Sequence, residues 1–370
     1  MRFPEFSGEW IESKLGDIAD FSKGAGISKD QRSEEGNPCI LYGELYTRYK
    51  SEVITNVFSK TALPDSELVK SKANDIIIPA SGETAEDIAT ARCVPFDNIL
   101  LGGDLNIIRL HEQDGKFFSY QLNGVRKYDI ATVAQGVSVV HLHTGDLKGI
   151  TVKYPSHIAE QEKISQILGL IDDRIATQSK IIEELTVLRS ALTEKCSRQA
   201  GTLFSLADIL EETDERSTVV NQYQVLSSTV KGIFSQKEYF NKDIASEDNK
   251  GYKVVRRGNV VLSPQNLWMG NINYNNRFDV GIVSPSYKNY SIKKGFNPTF
   301  IAALLKTKKA LYEYMLASEQ GASVVRRNLN VEAFMGITFR IPNAYQQEVL
   351  SKAIAAIDSK LSSRPCFSQN

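Results

Sequence analysis

The chain has 370 residues, of which 42% are hydrophobic and 24% are charged, with 44 lysines and arginines against 44 aspartates and glutamates. This composition is typical of a globular protein of about two domains, and the balanced charge excludes a generally basic coat for nucleic acid. There is no CxxC pair and no long apolar run, and the polar first residues are unlike a signal peptide; a reduced, cytoplasmic setting without zinc or disulfides is therefore expected.

The first half of the chain predicts an α+β body. It opens with KLGDIADF from Lys14, and its short apolar runs, Ile76–Ile78 and Ile99–Leu101, are bounded by glycine, proline, serine and asparagine. Such runs are typical of strands that end in turns. The body ends at the hexamer QGVSVV, Gln135–Val140, which is followed by a further strand and Pro155.

A long helix is predicted from about Ile158 to Cys196. This stretch has no proline and a single glycine, and its apolar residues alternate at spacings of four and three, the pattern of a coiled-coil seam. At the helical rise per residue it would be roughly 60 Å long. Gln178 and Arg189 interrupt the seam. The seam residues are Ile164, Leu168, Ile171, Ile175, Ile182, Leu185 and Leu192.

The second half repeats this order. SLADILEE from Ser205 matches the opening segment, GNVVLSPQNLW from Gly258 matches NDIIIPASGET, and QGASVV from Gln320 matches the hexamer. A shorter helix follows Pro342 and ends before Pro365. Its seam residues, in the same phase as the first helix, are Leu350, Ile354, Ile357 and Leu361. The sequence therefore predicts a pseudo-two-fold internal repeat of body and helix.

The opening RFPEFSGEW…KLGDI and the two copies of a variable body with P…EQEKISQIL..ID..I resemble the specificity (S) subunit of a type I restriction–modification enzyme. The resemblance covers essentially the whole chain. It implies an α+β fold, with two similar α/β target recognition domains in tandem and long helices that pair as an antiparallel coiled coil. The expected parts are recognition domain 1 (1–155), the long spacer helix (156–200), recognition domain 2 (201–342), and the shorter helix with a tail (343–370). The short second helix departs from the family, whose helices are usually of similar length.

In this family each recognition domain reads one half of a split DNA site. The resemblance therefore implies a non-catalytic, sequence-specific DNA-binding subunit without a cofactor of its own. Its partners would be double-stranded DNA, two methylase subunits that carry S-adenosylmethionine and methylate adenine, and a restriction subunit driven by ATP and Mg. A coiled-coil adaptor that binds protein rather than DNA is the alternative. Self-association through an exposed seam is a further alternative.

Candidate DNA-binding side chains occur in two places in each half: the loop after the matched strand and the segment after the hexamer. Arginine pairs with guanine, and asparagine or glutamine with adenine, in specific readout; an ordinary surface role is equally open for each residue. The candidates are Ser81, Glu83, Thr84, His141, His143, Gln265, Asn266, Trp268, Arg326, Arg327 and Asn328. Candidate phosphate contacts are Lys293, Lys294, Lys306, Lys308 and Lys309. The seam residues of both helices are the candidate partner interface.

Signals for catalysis in this chain are weak. NPTF from Asn297 is the nearest approach to a methyltransferase motif, but Asn297 as N-cap and Pro298 as first helical residue explain it better. His141 and His143 alternate as on a strand, with no cysteine or carboxylate nearby in the sequence to complete a metal site. A free-standing methyltransferase or nuclease is therefore disfavoured.

Overall fold

The structure is a computed structural model that describes residues 2–64, 66, 68–136, 138–199, 201–240, 248–320 and 327–363, without the side chains of 195–199, 240 and 320. The chain divides into two units, Met1–Thr177 and Gln178–Asn370, and the division falls inside the longest helix. In the part of the chain that the structure describes, no helix is long and apolar enough to cross a membrane.

In its described residues the first unit has twelve strands and six α-helices before the long helix. Its strands are β1 (Trp10–Lys14), β2 (Ala19–Lys23), β3 (Arg32–Ser33), β4 (Asn37–Ile40), β5 (Ser59–Thr61), β6 (Asp75–Pro79), β7 (Ser81–Gly82), β8 (Arg92–Val94), β9 (Leu100–Leu101), β10 (Leu105–Leu110), β11 (Val140–His141) and β12 (Thr151–Pro155). Its helices are α1 (Leu15–Ile18), α2 (Glu44–Thr47), α3 (Ala85–Ile88), α4 (Gly115–Asn123), α5 (Lys127–Val133) and α6 (Thr144–Lys148), before α7 (Ile158–Gln199).

The central sheet of this unit is buried on both faces. It is antiparallel, with strand order β2-β10-β6-β8, and Ile76 of β6 lies opposite Ile108 of β10. Successive side chains of a strand point to opposite faces. Ile76 and Ile78 accordingly join the cluster around Leu15 and Phe118, whereas Ile77 joins a second cluster with Ile40. The predicted strand at Ile76–Ile78 is confirmed, and the structure shows that it is buried.

The second unit contains the remaining elements. Its strands are β13 (Thr202–Ser205), β14 (Leu210–Glu212), β15 (Leu226–Thr229), β16 (Gly232–Ser235), β17 (Lys253–Arg256), β18 (Asn259–Leu262), β19 (Ile272–Tyr274), β20 (Val280–Val283), β21 (Lys288–Ile292), β22 (Ser318–Gln320), β23 (Arg327–Leu329) and β24 (Thr338–Ile341). Its helices are α8 (Leu206–Ile209), α9 (Gln236–Phe240), α10 (Pro298–Leu304), α11 (Lys308–Leu316), α12 (Val331–Met335) and α13 (Ala344–Ser362).

The second unit repeats the topology of the first. Its central sheet has the order β14-β21-β18-β19, so β18 occupies the place that β6 has in the first unit. In both units the opening strand pairs antiparallel with the strand before the final helix: β1 with β12, and β13 with β24. The predicted tandem of two similar α+β bodies is confirmed.

A buried glutamine joins the first body to α7. Gln161 Nε2 donates to the carbonyl of Pro155 at 2.9 Å, and its Oε1 accepts from the backbone N–H of Asp114 at 3.0 Å. Asp114 is the N-cap of α4, and its Oδ2 accepts from Ser165 Oγ at 2.6 Å. We call this arrangement of glutamine, proline carbonyl, N-cap and serine the glutamine clip.

The second unit has its own glutamine clip. Gln347 Nε2 donates to the carbonyl of Pro342 at 2.9 Å, its Oε1 accepts from the backbone N–H of Asn297 at 2.9 Å, and Ser351 Oγ donates to Asn297 Oδ1 at 2.6 Å. Asn297 Oδ1 also accepts from the N–H groups of Thr299 and Phe300 at 3.0 and 3.3 Å. The prediction that Asn297 is a helix N-cap is confirmed.

The two final helices have the lengths that the sequence indicates. α7 has 42 residues and α13 has 19. α7 begins three residues after Pro155 and α13 begins two residues after Pro342, and a glutamine clip fixes the start of each helix. Pro365, expected to follow the end of the second helix, lies outside the described residues.

Candidate DNA-recognition surface

The two candidate stretches of the first unit lie side by side. β7 follows β6 directly and pairs antiparallel with β11, so that Ser81 lies opposite His141. Two strands that pair this way bring the loop after the matched strand and the segment after the hexamer to one place. Glu83, Thr84, His141 and His143 are exposed there. Ser81 is 7% exposed, so its side chain is a structural element of this surface, and the expectation of a base contact from it loses its support.

Thr84 has a structural role at this surface. It is the N-cap of α3: its Oγ1 accepts from the backbone N–H of Asp87 at 3.1 Å and donates to Asp87 Oδ2 at 2.7 Å. Gly82 lies so close to α3 that a Cβ placed on it would be 2.4 Å from Ile88 Cγ2. A side chain at this position would displace α3, so only glycine allows the loop to pack this closely against the helix.

The first residue of the hexamer is paired with the residue that directly follows the hexamer. Gln135 and His141 exchange backbone hydrogen bonds of 2.9 and 2.7 Å. The rings of His141 and His143 stack with centroids 6.5 Å apart and planes 14° apart. Within the described residues, no group of three or more histidine, cysteine, aspartate or glutamate side chains is arranged to hold a metal ion. The exposed imidazoles therefore present hydrogen-bonding edges to solvent.

The candidate stretches of the second unit also meet. A 3-10 helix spans Pro264–Met269 and carries Gln265, Asn266 and Trp268. The hairpin β22–β23 places Gln320 opposite Arg327, as Gln135 lies opposite His141 in the first unit. The guanidinium carbon of Arg327 lies 4.6 Å from the centroid of the Trp268 ring. Gln265 and Asn328 are exposed, Asn266 is half-buried, and Arg326 lies outside the described residues.

Three of the candidate phosphate-binding lysines are engaged within the second unit. Lys306 Nζ donates to the carbonyl of Gly270 at 2.8 Å, Lys293 Nζ to the carbonyl of Ala207 at 2.7 Å, and Lys309 Nζ to the carbonyl of Thr338 at 3.3 Å. Burial, together with a smaller repulsion from the nearby Arg189, lowers the pKa of Lys306 to about 8. Lys306 is thus a half-buried anchor for the end of the 3-10 helix.

The candidate partner interface divides into buried and exposed parts. Ile354 and Ile357 are 1% and 7% exposed and Ile164 packs against the core of the first unit, so these three side chains are already covered. Leu168, Ile175, Ile182, Leu185, Leu192, Leu350 and Leu361 are half-buried. Ile171 is exposed, and the structure adds Ile167 and Leu170 beside it on the same face of α7. The helical spacing of three and four makes these last three side chains neighbours.

A partly buried polar cluster, which sequence reasoning missed, joins α7 to the first body. Tyr120 Oη donates to Asp172 Oδ2 at 2.5 Å, and Arg92 lies 4.0 Å from Glu52. The pKa of Glu52 is raised, mainly by burial. The positive charge of Arg92 lowers this pKa, and the negative charge of Asp172 raises it. Burial also lowers the pKa of Arg92. Glu52 and Asp172 are 120 positions apart (172 − 52), so no local sequence pattern could pair them.

The comparison with protein families decides the identity of the chain. Residues 7–187 match the family model described as the type I restriction modification DNA specificity domain. The matched half of the chain belongs to the type I restriction–modification DNA specificity family. The specificity domain is a DNA-recognition module rather than an enzyme. The matched range covers the first unit and part of α7, and the second unit repeats the same sheet order.

Solved structures of similar fold include the S subunit of a type I restriction–modification system from M. genitalium, with 16% identity and a TM-score of 0.62 over 98% of this chain and 93% of that one. A second structure is described as the structural basis underlying complex assembly and conformational transition of the type I R-M system. It has 12% identity and a TM-score of 0.47, over 97% of this chain and 92% of that one. The HsdS subunit from Thermoanaerobacter tengcongensis has 12% identity and a TM-score of 0.40, over 98% and 92%. Among curated proteins, no sequence matches the chain.

Proposed function

We propose that this specificity subunit recognises a bipartite DNA site, with one half-site read by each unit. The observation that carries the proposal is the repeated surface: in each unit the loop after the matched strand meets the segment after the hexamer, and the side chains there differ between the units. Two half-sites of different sequence require different exposed side chains, and the two units present these on the same backbone arrangement.

The exchange of one body tests this proposal. Residues 201–342 are replaced by the second body of another specificity subunit of known target, and the methylated motif is determined by methylome sequencing of cells that also carry the methylase. We expect one half of the motif to change and the other to stay. The reciprocal exchange of residues 1–155 is the matched control and should change the opposite half. A change of both halves by either exchange would contradict the proposal.

The partners proposed for this chain are two methylase subunits, which carry S-adenosylmethionine and methylate adenine, and an ATP- and Mg-dependent restriction subunit, assembled on double-stranded DNA in the cytoplasm. The exposed apolar face formed by Ile167, Leu170 and Ile171 supports a protein contact on α7, since such a face costs free energy when it stays in water. Self-association through the same face would compete with methylase binding.

The α7 face can be tested by adding charge. The double change Leu170→Asp and Ile171→Asp should weaken methylase binding at least tenfold, because a buried unpaired carboxylate is strongly unfavourable at an interface. Lys180→Asp, an exposed change on the same helix, is the control and should bind normally. Sedimentation of the subunit alone shows whether the face instead joins two copies, in which case the double change would convert a dimer to a monomer.

A further inference from the structure

Arg327 is positioned in two ways: its backbone is paired in a strand, and its guanidinium lies over the ring of Trp268. The backbone of Arg327 is fixed in the hairpin β22–β23, whose register also pairs Glu319 with Asn328. Its side chain lies over the Trp268 ring, with 4.6 Å between the guanidinium carbon and the ring centroid. Stacking on an aromatic face restricts the planar guanidinium to one orientation, which a lysine ammonium could not share.

Arg327 differs from several other arginines of the second unit in having no carboxylate partner among the described residues. Five arginines of the second unit form ion pairs with carboxylates: Arg189, Arg216, Arg256, Arg257 and Arg277. Within the described residues Arg327 has no such pair, and its Nε is buried without a hydrogen-bond partner. A half-buried guanidinium without a carboxylate retains its full attraction for a negative or acceptor-rich ligand.

The platform under Arg327 is rigid. Leu267 is fully buried, and the 3-10 helix ends at Gly270, whose φ of +89° suits glycine. Lys306 holds the carbonyl of Gly270 at 2.8 Å. Beyond it, Asn271 Oδ1 accepts from Ser228 Oγ at 2.8 Å. Trp268 is therefore carried by a segment that is anchored at its end, so the position of the ring is set before any ligand binds.

We propose that Arg327 reads a guanine of the second half-site and that Trp268 is the positioning residue that orients its guanidinium. This inference rests on the proposed function and names the base that this surface takes. Guanine presents two acceptors, O6 and N7, at the spacing of two guanidinium N–H groups in the major groove. His141 stands at the equivalent position of the first unit, opposite Gln135, so the two units would read different bases there.

The test uses the full subunit with its methylase. The motif of the wild-type protein is first determined by methylome sequencing, and binding is then measured to duplexes with each base pair of both half-sites replaced in turn. Arg327→Lys should reduce discrimination at one G·C pair of the second half-site roughly tenfold or more, because the charge stays but the two-point contact is lost. Trp268→Leu should reduce discrimination at the same pair.

Trp268→Phe is the matched control. It keeps an aromatic platform and should retain most of the discrimination, whereas a merely structural role of Trp268 would weaken binding to all duplexes alike. Thermal unfolding of each variant verifies that it is folded. A uniform loss of affinity with a smaller salt dependence would indicate a phosphate contact and overturn the inference. Unchanged discrimination in Arg327→Lys would also overturn it, while leaving a bipartite wild-type motif, and thus the proposed function, intact. A wild-type motif without two halves would overturn both.

Discussion

Arg189 of α7 and Asp358 of α13 form a two-point ion pair, with Nε 2.6 Å from Oδ1 and Nη2 3.3 Å from Oδ2. Arg189 is one of the polar residues that interrupt the apolar seam of α7. Its place in the seam is explained by this partner on the shorter helix.

The charges of this pair can be exchanged. Arg189→Asp and Asp358→Arg should each lower the free energy of unfolding, and the double exchange should recover part of the loss. Both side chains are partly exposed, so we expect a coupling free energy of about 0.2–1 kcal/mol. Urea unfolding in a double-mutant cycle measures it. The exposed pair Lys352 and Glu348 on α13 provides the comparison, and a coupling at Arg189 no larger than zero would contradict the prediction.

The glutamine clip should contribute strongly to stability in each unit. Gln161→Leu and Gln347→Leu leave a proline carbonyl and an N-cap N–H buried without partners, which should lower the free energy of unfolding by about 2–4 kcal/mol. Chemical unfolding measures the change. Gln166→Leu, exposed on α7, is the control and should change stability by less than about 0.5 kcal/mol. Equal losses for Gln161→Leu and Gln166→Leu would be inconsistent with a stabilising clip.

The stability of the first unit should depend on pH through Glu52. Burial raises the pKa of Glu52 above its ordinary value of 4.5, so the folded state binds the proton more tightly than the unfolded state. The resulting stabilisation is complete below 4.5 and is lost as pH rises through the folded-state pKa. Thermal unfolding between pH 4.5 and 7.5 should show this loss for the wild type and a smaller loss for Glu52→Gln. The exposed change Glu9→Gln should follow the wild type; a Glu52→Gln variant that does so too would refute the assignment.

The buried cysteines should be unreactive in the folded protein. Burial raises the pKa of Cys39 to about 11 and that of Cys93 to about 12, so at pH 8 the reactive thiolate is a very small fraction of each. In a variant with Cys196→Ser and Cys366→Ser, we expect a thiol reagent to modify neither residue until denaturant is added. Rapid modification of the native variant would show that one of the two sites opens to solvent.

Sequence reasoning succeeded where the signal was local or repeated. The strand at Ile76–Ile78, the N-cap at Asn297 and the long unbroken helix follow from neighbouring residue types, and the shared sheet order follows from comparing the two halves. The sequence also marked the loop after β6 and the segment after the hexamer as candidate DNA-binding stretches, but only the structure shows that they pair.

The rest depended on contacts between distant positions. The sequence could not predict that Ser81 is buried, because serine occurs at both buried and exposed positions of strands. It could not separate Lys306, which is a half-buried anchor, from the exposed lysines in the same charge run. Contacts such as Arg189 with Asp358 form only when the folded chain brings two helices together, and no periodicity records them.

The backbone pairing at the hexamer has a consequence for evolution. Gln135 is bonded to His141 through main-chain groups alone, and Gln320 lies opposite Arg327 in the same way. Main-chain hydrogen bonds are formed by every amino acid except proline at the donor position. A single codon change at position 141 or 327 can therefore replace the side chain presented at this place while the main-chain pairing stays intact. If these side chains contact bases as proposed, a point mutation there changes the half-site without the exchange of a whole body.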